Sequence, residues 1–249
     1  MGFKKVTHFF IMIILRVLAL SFLILFMPVS SYAENDYIAF SKDDAERIVG
    51  LIDADERFQA IFNVCPAQHF RSHQSWKSRL GLVDNISAKE CIQNAERCFD
   101  LCQSGHGRAC FRVARGLEEL EDIDEGSISS LYKQKAFGFA CAAGDHAGCT
   151  NRGAGLRNGR YEGDPMLSWD ERVIAECHYD LFHLGCKDDA WGCAMLGQAY
   201  QYGQGVEKSI PKAVASYSRV CKLSDQDHPS CRFARRRLDS IQESKTGLD

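Results

Sequence analysis

The sequence lacks three patterns, and each absence argues against a class of protein. No sustained stretch alternates apolar and polar residues, so no strand with one buried face is expected and the chain should be all-α. Basic residues are not in excess, with 30 Lys and Arg against 33 Asp and Glu, which argues against nucleic-acid binding. The paired cysteines lack the short C-x₂₋₄-C spacing of zinc sites, so we expect no metal ion and no other cofactor.

The N-terminal segment, residues 1–33, has the pattern of a secretory signal peptide. Two lysines precede an apolar run from Phe9 to Met27. Small residues follow, and Ser31 and Ala33 occupy the positions of a signal-peptidase site. We therefore expect cleavage after this segment.

The mature protein is then expected to comprise residues 34–249, as a single domain without a stable membrane span. An uncleaved anchor is the alternative, but Arg16 would be costly inside a spanning helix. Because residues 1–33 contain three basic residues and no acidic one, their removal changes the net charge from −3 to −6. All 12 cysteines follow the predicted cut, which favours disulfides and a bacterial periplasmic or secreted location.

The first part of the mature chain, residues 34–86, is expected to hold irregular helices. Ser41 resembles the cap of a first helix. The helical pattern then blurs, and His69 and His73, four residues apart, are interpreted as exposed side chains rather than as metal ligands. A clear capping box follows at Ser87, with Glu90 three residues later, and predicts one continuous helix through Cys91, Cys98 and Leu101.

Cysteines recur as close pairs in the rest of the chain and indicate a repeat. The first members of successive pairs are 39, 45 and 35 residues apart, which is the length of a repeated helical hairpin in an α-solenoid. In the last three units the residue four positions before the first cysteine is aromatic and is expected to be buried: Phe137, Phe182 and Tyr217. Repeats are predicted from about residue 87 to 231, with a capping helix at 229–243.

Within each pair, the predicted bond joins the end of one helix to the start of the next, where the chain reverses direction. On the chain-entropy model each such bond stabilises the fold by about 2.5 kcal/mol. His106, His146 and His228 each lie between the two cysteines of a pair and are interpreted as turn residues. The four predicted local bonds are Cys102–Cys110, Cys141–Cys149, Cys186–Cys193 and Cys221–Cys231.

Four other cysteines remain without an assigned partner. In a continuous helix Cys91 and Cys98 would be about 10.5 Å apart along the axis, which is beyond disulfide reach. Cys65 is therefore predicted to bond to Cys91 or to Cys98. Cys177 is predicted to bond to the other one or to remain free.

The clearest hairpin lies between Cys193 and Tyr217. Leu196 and Tyr200 share one helix face, and Gly203 and Gly205 can supply the left-handed backbone of the following turn. The segment resembles the Sel1-like repeat, a relative of the tetratricopeptide repeat with the pattern AxxLGxxYxxGxGVxxDxxKAxxxY. The matching residues are Leu196, Gly197, Tyr200, Gly203, Gly205, Val206, Lys212, Ala213 and Tyr217.

The added cysteines make the chain similar to the disulfide-rich branch of that family, represented by the Helicobacter cysteine-rich proteins. This resemblance implies an α-solenoid of αα-hairpins that binds a protein or peptide of the cell envelope or host on its concave surface. It also implies that the first helices of successive units line that surface. They carry four arginines that are candidates to bind an acidic peptide, with a solvated surface as the alternative: Arg112, Arg115, Arg152 and Arg157.

Aromatic residues are the other candidates for partner binding. Trp191 lies in a predicted inter-helix turn, and the two alternatives for its side chain are contact with a partner and packing within the loop. Tyr202, Trp169 and Trp76 are further candidate anchors, because aromatic side chains often dominate interface energetics, whereas Tyr200 is expected to be a core residue. A purely structural role in the envelope is the remaining non-enzymatic alternative.

The same branch has been linked to penicillin binding and weak β-lactamase activity, which gives an enzymatic alternative. Two S-x-x-K strings are present, Ser130 to Lys133 and Ser209 to Lys212. In serine β-lactamases this spacing places the lysine one helical turn from the nucleophile. The companion S-D-N element does not occur, and both strings fall at the predicted start of a repeat's second helix, where a capping serine is expected. We therefore expect no catalytic residue.

Overall fold

The computed structural model describes residues 40–65, 86–117, 128–158 and 163–246. This part of the chain forms eleven α-helices and one short 3₁₀ helix at Pro165–Ser168, and none of its residues lies in a strand, which confirms the all-α prediction. The predicted signal peptide lies outside the described residues, as do His69 and His73. The α-helices are α1 Lys42–Ala54, α2 Glu56–Phe62, α3 Ala88–Gln93, α4 Ala95–Gln103, α5 Gly107–Gly116, α6 Ile128–Ala142, α7 His146–Asn158, α8 Glu171–Gly185, α9 Ala190–Tyr202, α10 Ile210–Leu223 and α11 Pro229–Thr246.

Short polar side chains begin the N-terminal helices where the sequence predicts them. Ser41 accepts a hydrogen bond from the backbone N–H of Asp44 at 3.2 Å and caps α1. Ser87 and Glu90 form the full capping box of α3, in which each side chain accepts a hydrogen bond from the other residue's backbone N–H. These caps satisfy N–H groups that have no partner within the helix.

The helix predicted through Cys91 and Leu101 is interrupted, and this prediction is wrong. Asn94 adopts a non-helical conformation, with φ −151° and ψ 81°, and separates α3 from α4. Its side chain accepts a hydrogen bond from the backbone N–H of Arg97 at 2.9 Å, so it caps the second helix. The chain therefore turns between the two cysteines that the prediction placed along one axis.

Aspartates cap three of the later helices. Asp145 accepts from the backbone N–H of Gly148 at the start of α7, and Asp189 accepts from that of Gly192 at the start of α9. Asp170 caps α8, because its side chain accepts from the backbone N–H of Arg172. Ser168 ends the 3₁₀ helix, and its hydroxyl donates to the carbonyl of Pro165.

The turn between α9 and α10 confirms the predicted left-handed glycines. Gly203 and Gly205 have φ of +73° and +70°. A Cβ on Gly205 would lie 1.9 Å from the carbonyl oxygen of Ala175, so the turn packs directly against the backbone of α8. Within α9, a Cβ on Gly197 would lie 2.5 Å from the ring of Tyr217 on α10. Glycine is required at both positions for the helices to approach each other closely.

Helices pack in chain order, with a second set of contacts between alternate helices. From α3 to α11 each helix contacts the next one. In addition, α5 contacts α7, α7 contacts α9, and α9 contacts α11. The aromatic residues four positions before the first cysteines are buried, as predicted: Phe137, Phe182 and Tyr217.

Six cysteine pairs lie at disulfide distance, and all twelve cysteines belong to one of them. Four of these pairs are the local ones described in the sequence analysis. Their Cα–Cα distances range from 4.2 to 4.8 Å, and each joins the end of one helix to the first turns of the next. The bridges connect α4 to α5, α6 to α7, α8 to α9, and α10 to α11.

The other two pairs differ from the prediction. Cys91 is bonded to Cys98, with a Cα–Cα distance of 5.0 Å, because the break at Asn94 brings α3 and α4 together. Cys65 is bonded to Cys177, 112 residues later in the sequence. This bridge joins the segment after α2 to the middle of α8 and is the only long-range one in the described part of the chain.

Candidate functional site

The four arginines predicted to contact a partner have different surroundings, and Arg152 is not available to one. Its side chain is 2% exposed and forms a two-pronged ion pair with Asp164, whose side chain is 1% exposed. The guanidinium also lies 4.4 Å from the centre of the Phe62 ring. Arg152 therefore holds α7 to the segment before the 3₁₀ helix and to α2, and its assignment to a binding surface is wrong.

On α5, Arg112 is buried as well, so its assignment to an exposed surface is also wrong. Arg115 lies one turn further along the same helix and is half-buried. Helix α5 thus presents little of its predicted basic surface. The remaining candidates are Arg157 on α7 and Trp191 on α9, two helices that contact each other.

Arg157, at the end of α7, reaches across to α9. Its Nη1 donates to the Met195 sulfur and to the Gln198 side-chain oxygen, both at 3.0 Å. The guanidinium lies 5.5 Å from the centre of the Phe182 ring. Burial lowers the pKa of Arg157. Among the residues that the structure describes, no carboxylate forms an ion pair with it.

One face of α9 carries exposed aromatic side chains at both ends. Trp191 is 37% exposed and Tyr202 is 52% exposed. Met195 and Gln198 lie between them, and offsets of four, three and four residues place all four on one stripe of the helix. The opposite side of α9, including Gly197, is buried against α10.

Helix α11 extends this stripe with two further side chains. The Phe233 ring lies 5.9 Å from that of Trp191. Arg237 lies over both Phe233 and Tyr202, and its Nη1 donates to the Tyr202 hydroxyl at 3.1 Å. We define the aromatic strip as Trp191, Gln198, Tyr202, Phe233 and Arg237. Three other arginines of α11 are exposed: Arg232, Arg235 and Arg236.

Sequence reasoning missed Phe233 and Arg237 as parts of this surface. A signal was present, because the two are spaced i, i+4 and therefore share a face of the last helix. Nothing in the sequence, however, indicated that this face contacts both ends of α9. The strip depends on the contact between α9 and α11.

A buried histidine lies next to the strip. His178 of α8 packs against Phe182, with ring centres 5.6 Å apart. Burial and, secondarily, the charge of Arg157 lower the pKa of His178 to about 4. The imidazole is therefore neutral at ordinary pH. Of the neighbouring side chains of His178 and Arg157, only that of Arg157 is charged.

The histidines between paired cysteines have local partners. His106 Nδ1 lies 3.1 Å from the Leu101 carbonyl, and His228 Nδ1 lies 2.7 Å from the Ser230 hydroxyl. His146 Nδ1 lies 2.6 Å from a carboxylate oxygen of Asp188. In the described ranges, no group of three or more His, Cys, Asp or Glu side chains is arranged to hold a metal ion.

The S-x-x-K strings lie at helix starts, as the sequence predicts, although the Ser209 side chain makes no capping hydrogen bond. Ser209 precedes α10, and its backbone N–H donates to the carbonyl of Tyr200. The Lys212 ammonium lies 5.4 Å from the centre of the Tyr200 ring. Ser130 lies in the first turn of α6, and Lys133 is buried. A K-T-G string does occur, beginning at Lys245 near the end of α11, but no S-D-N element accompanies it in the sequence.

Comparison with known proteins identified no relative of this chain. No family model matches the chain, no curated protein matches it, and no solved structure matches it. The similarity to Sel1-like repeats therefore rests on the residues quoted for it. Separately, no helix in the described ranges combines the length and apolar character needed to cross a bilayer.

Proposed function

We propose that the chain is an exported, disulfide-bonded Sel1-like α-solenoid that binds a protein or peptide partner on the aromatic strip. The contacts among α5, α7, α9 and α11 support the repeat assignment, because first helices of successive hairpins pack side by side in such arrays. The bridges at regular positions support it too. Many disulfides and the absence of a membrane span in the described part of the chain agree with an envelope or extracellular location.

The observation that carries the proposal is the exposure of Trp191 and Tyr202 on a helix that is otherwise well buried. Large aromatic side chains left exposed beside arginine have the composition of interface hot spots, which are enriched in Trp, Tyr and Arg. Exposed apolar surface rimmed by polar groups is a mark of interaction sites in soluble proteins. Gln198 and Arg237 supply such polar groups within the strip itself.

The strip is also held in place before any partner arrives. The bridge at Cys193 fixes the first turn of α9, and the bridge at Cys231 fixes the first turn of α11. Phe233 is held between the rings of Trp191 and Tyr217, the latter 6.4 Å away. A preformed surface loses less conformational entropy on binding, which favours its use as a docking site.

A photo-crosslinking experiment tests this function. A photoreactive phenylalanine is introduced at Tyr202, and a matched one at Ser218, which is exposed on α10 away from the strip. Illumination of cells that export the protein should give a discrete crosslinked complex from position 202 and none from position 218. Trp191→Ala should reduce the yield at least five-fold. Equal crosslinking at both positions, or none at 202, would refute the strip as a partner-binding surface.

A further inference from the structure

Arg157 is a cation that the fold partly buries without supplying an anion from the residues that the structure describes. Its polar partners are a thioether and an amide oxygen, from Met195 and Gln198, and both are neutral. The more deeply buried Arg152, by contrast, faces the carboxylate of Asp164. A desolvated charge without a counterion is costly, so an arrangement that keeps one favours a bound anion.

The position of Arg157 against Gln198 of the aromatic strip limits what that anion can be. Met195 and Gln198 lie midway between Trp191 and Tyr202, which are eleven residues apart and therefore about 16.5 Å apart along α9. Along the axis of α9, the midpoint between Met195 and Gln198 is thus about 8 Å from Trp191 and from Tyr202. In an extended peptide, side chains on one face are about 6.6 Å apart, so neighbours two positions away approximately match this spacing.

We propose that Arg157 receives a single Asp or Glu carboxylate from an extended segment of the partner, whose apolar side chains two positions before and after it rest on Trp191 and Tyr202. This inference rests on the proposed function and gives it a ligand class. The Gln198 amide holds the guanidinium through one edge and leaves other N–H groups of Arg157 for the carboxylate. Arginine suits this role because its planar donors match a carboxylate.

The experiment is panning of a random heptapeptide display library on the purified, oxidised chain after export, in parallel with an Arg157→Gln variant. Peptides recovered on the unmodified protein should show Asp or Glu at one position, enriched at least ten-fold over the library, with apolar residues two positions away on both sides. Arg157→Gln should abolish the acidic enrichment and keep the apolar one. Recovery of no peptides, or of peptides without a preferred acidic position, overturns the proposal.

Affinities of one synthetic peptide from the recovered set, and of its Glu→Gln counterpart, then isolate the charge interaction. Fluorescence anisotropy should show the Glu peptide binding at least ten-fold more tightly than the Gln peptide to the unmodified protein. The two should bind equally to Arg157→Gln, whereas Trp191→Ala should weaken both. The matched control is Arg172→Gln, because Arg172 is highly exposed on α8 and pairs only with Glu176 at 3.8 Å. Equal losses for both peptides in Arg157→Gln would reduce Arg157 to a structural role.

A thermal melt of Arg157→Gln beside the unmodified protein tests whether the variant is folded. Arg157→Lys is the second variant, because it keeps the charge and should retain a preference for the Glu peptide. Failure of this inference is distinguishable from failure of the proposed function. If the complex crosslinked at Tyr202 forms undiminished in Arg157→Gln, the function stands and the carboxylate site is wrong. If no complex forms in the unmodified protein, the function itself is wrong.

Discussion

The long-range bridge between Cys65 and Cys177 should contribute more stability than any local bridge. Removing it with Cys65→Ala/Cys177→Ala frees a segment that the other bridges do not constrain, because they all close short loops. Cys177 is also buried in α8, so its replacement removes packing as well as the bond. The appropriate control removes the local pair Cys141 and Cys149, both of which are buried, whereas Cys65 is half-buried.

The magnitude follows from loop closure in the unfolded chain. The bridge closes a loop of 112 residues, and three local bridges inside it shorten the effective loop to roughly 90 residues. The chain-entropy model then gives about 4.6 kcal/mol, against about 2.5 kcal/mol for the control pair, whose separation is 8 residues. Because the control pair is at least as buried as Cys65 and Cys177, an additional loss of about 2 kcal/mol in Cys65→Ala/Cys177→Ala reports on loop length.

Urea unfolding under non-reducing conditions measures this difference, with each variant fitted with its own m value, since removing a crosslink expands the unfolded state. Peptide mapping without reductant first establishes that the remaining five bridges keep their partners. A loss of stability in Cys65→Ala/Cys177→Ala no larger than in the control would refute the loop-closure reasoning. Mapping of Cys65 to Cys91 or Cys98 would refute the pairing.

Three further predictions concern other parts of the molecule. The folded state holds His178 in its neutral form, because its pKa is lowered to about 4. The free energy of unfolding should therefore fall by up to roughly 3 kcal/mol as the pH drops from about 6.5 through 4. His178→Gln should flatten this pH dependence, which urea unfolding measures. Gly197→Val should lower the free energy of unfolding by about 1–3 kcal/mol, because the valine side chain would meet the buried Tyr217 ring. Gly50→Ala has open space around it and should raise the free energy of unfolding by about 0.5–1 kcal/mol. Thermal melts that rank the two variants in the opposite order would contradict this packing. The purified protein should neither hydrolyse a chromogenic cephalosporin nor be labelled by a fluorescent penicillin, and turnover lost in Ser209→Ala or Ser130→Ala would contradict the non-enzymatic assignment.

The parts of the fold predicted correctly depend on short-range chemistry. The capping box at Ser87, the left-handed Gly203 and Gly205, and the burial of Phe182 each follow from residues within one or two helical turns. Such signals survive because the local backbone determines them. The same regular spacing that indicates helical hairpins also indicates where paired cysteines meet.

The errors have a different physical origin. The helical spacing of apolar residues continues on both sides of Asn94, so the sequence predicted one helix. The structure shows that Asn94 instead ends one helix and caps the next. The distance calculated between Cys91 and Cys98 assumed the helical rise of 1.5 Å per residue, which the turn at Asn94 removes. Arg152 looked like a surface residue because its counterion, Asp164, lies 12 residues away in a segment without helical pattern.

The candidate site was predictable only in part, for the same reason. Trp191 and Arg157 were identified as residues of suitable chemistry, but their proximity requires that α7 and α9 pack together. Phe233 and Arg237 enter the strip through the contact between α9 and α11. A surface assembled from three helices has no signature within any one of them, so residue type can suggest candidates and only the tertiary contacts select among them.

The two faces of α9 explain how exposed aromatic side chains persist on this helix. On the inner face, Gly197 lets the Tyr217 ring approach the α9 backbone, and the buried Tyr217 hydroxyl donates to Gln201 at 2.8 Å. That packing and the bridge at Cys193 hold the inner face of the helix, whereas Trp191 and Tyr202 on the outer face stay partly exposed although they contact Phe233 and Arg237 of α11. Because fold stability does not require their burial, these two side chains can be kept for binding. We therefore propose that their exposed area, together with the charge of Arg157, is stabilised by a partner rather than by the fold.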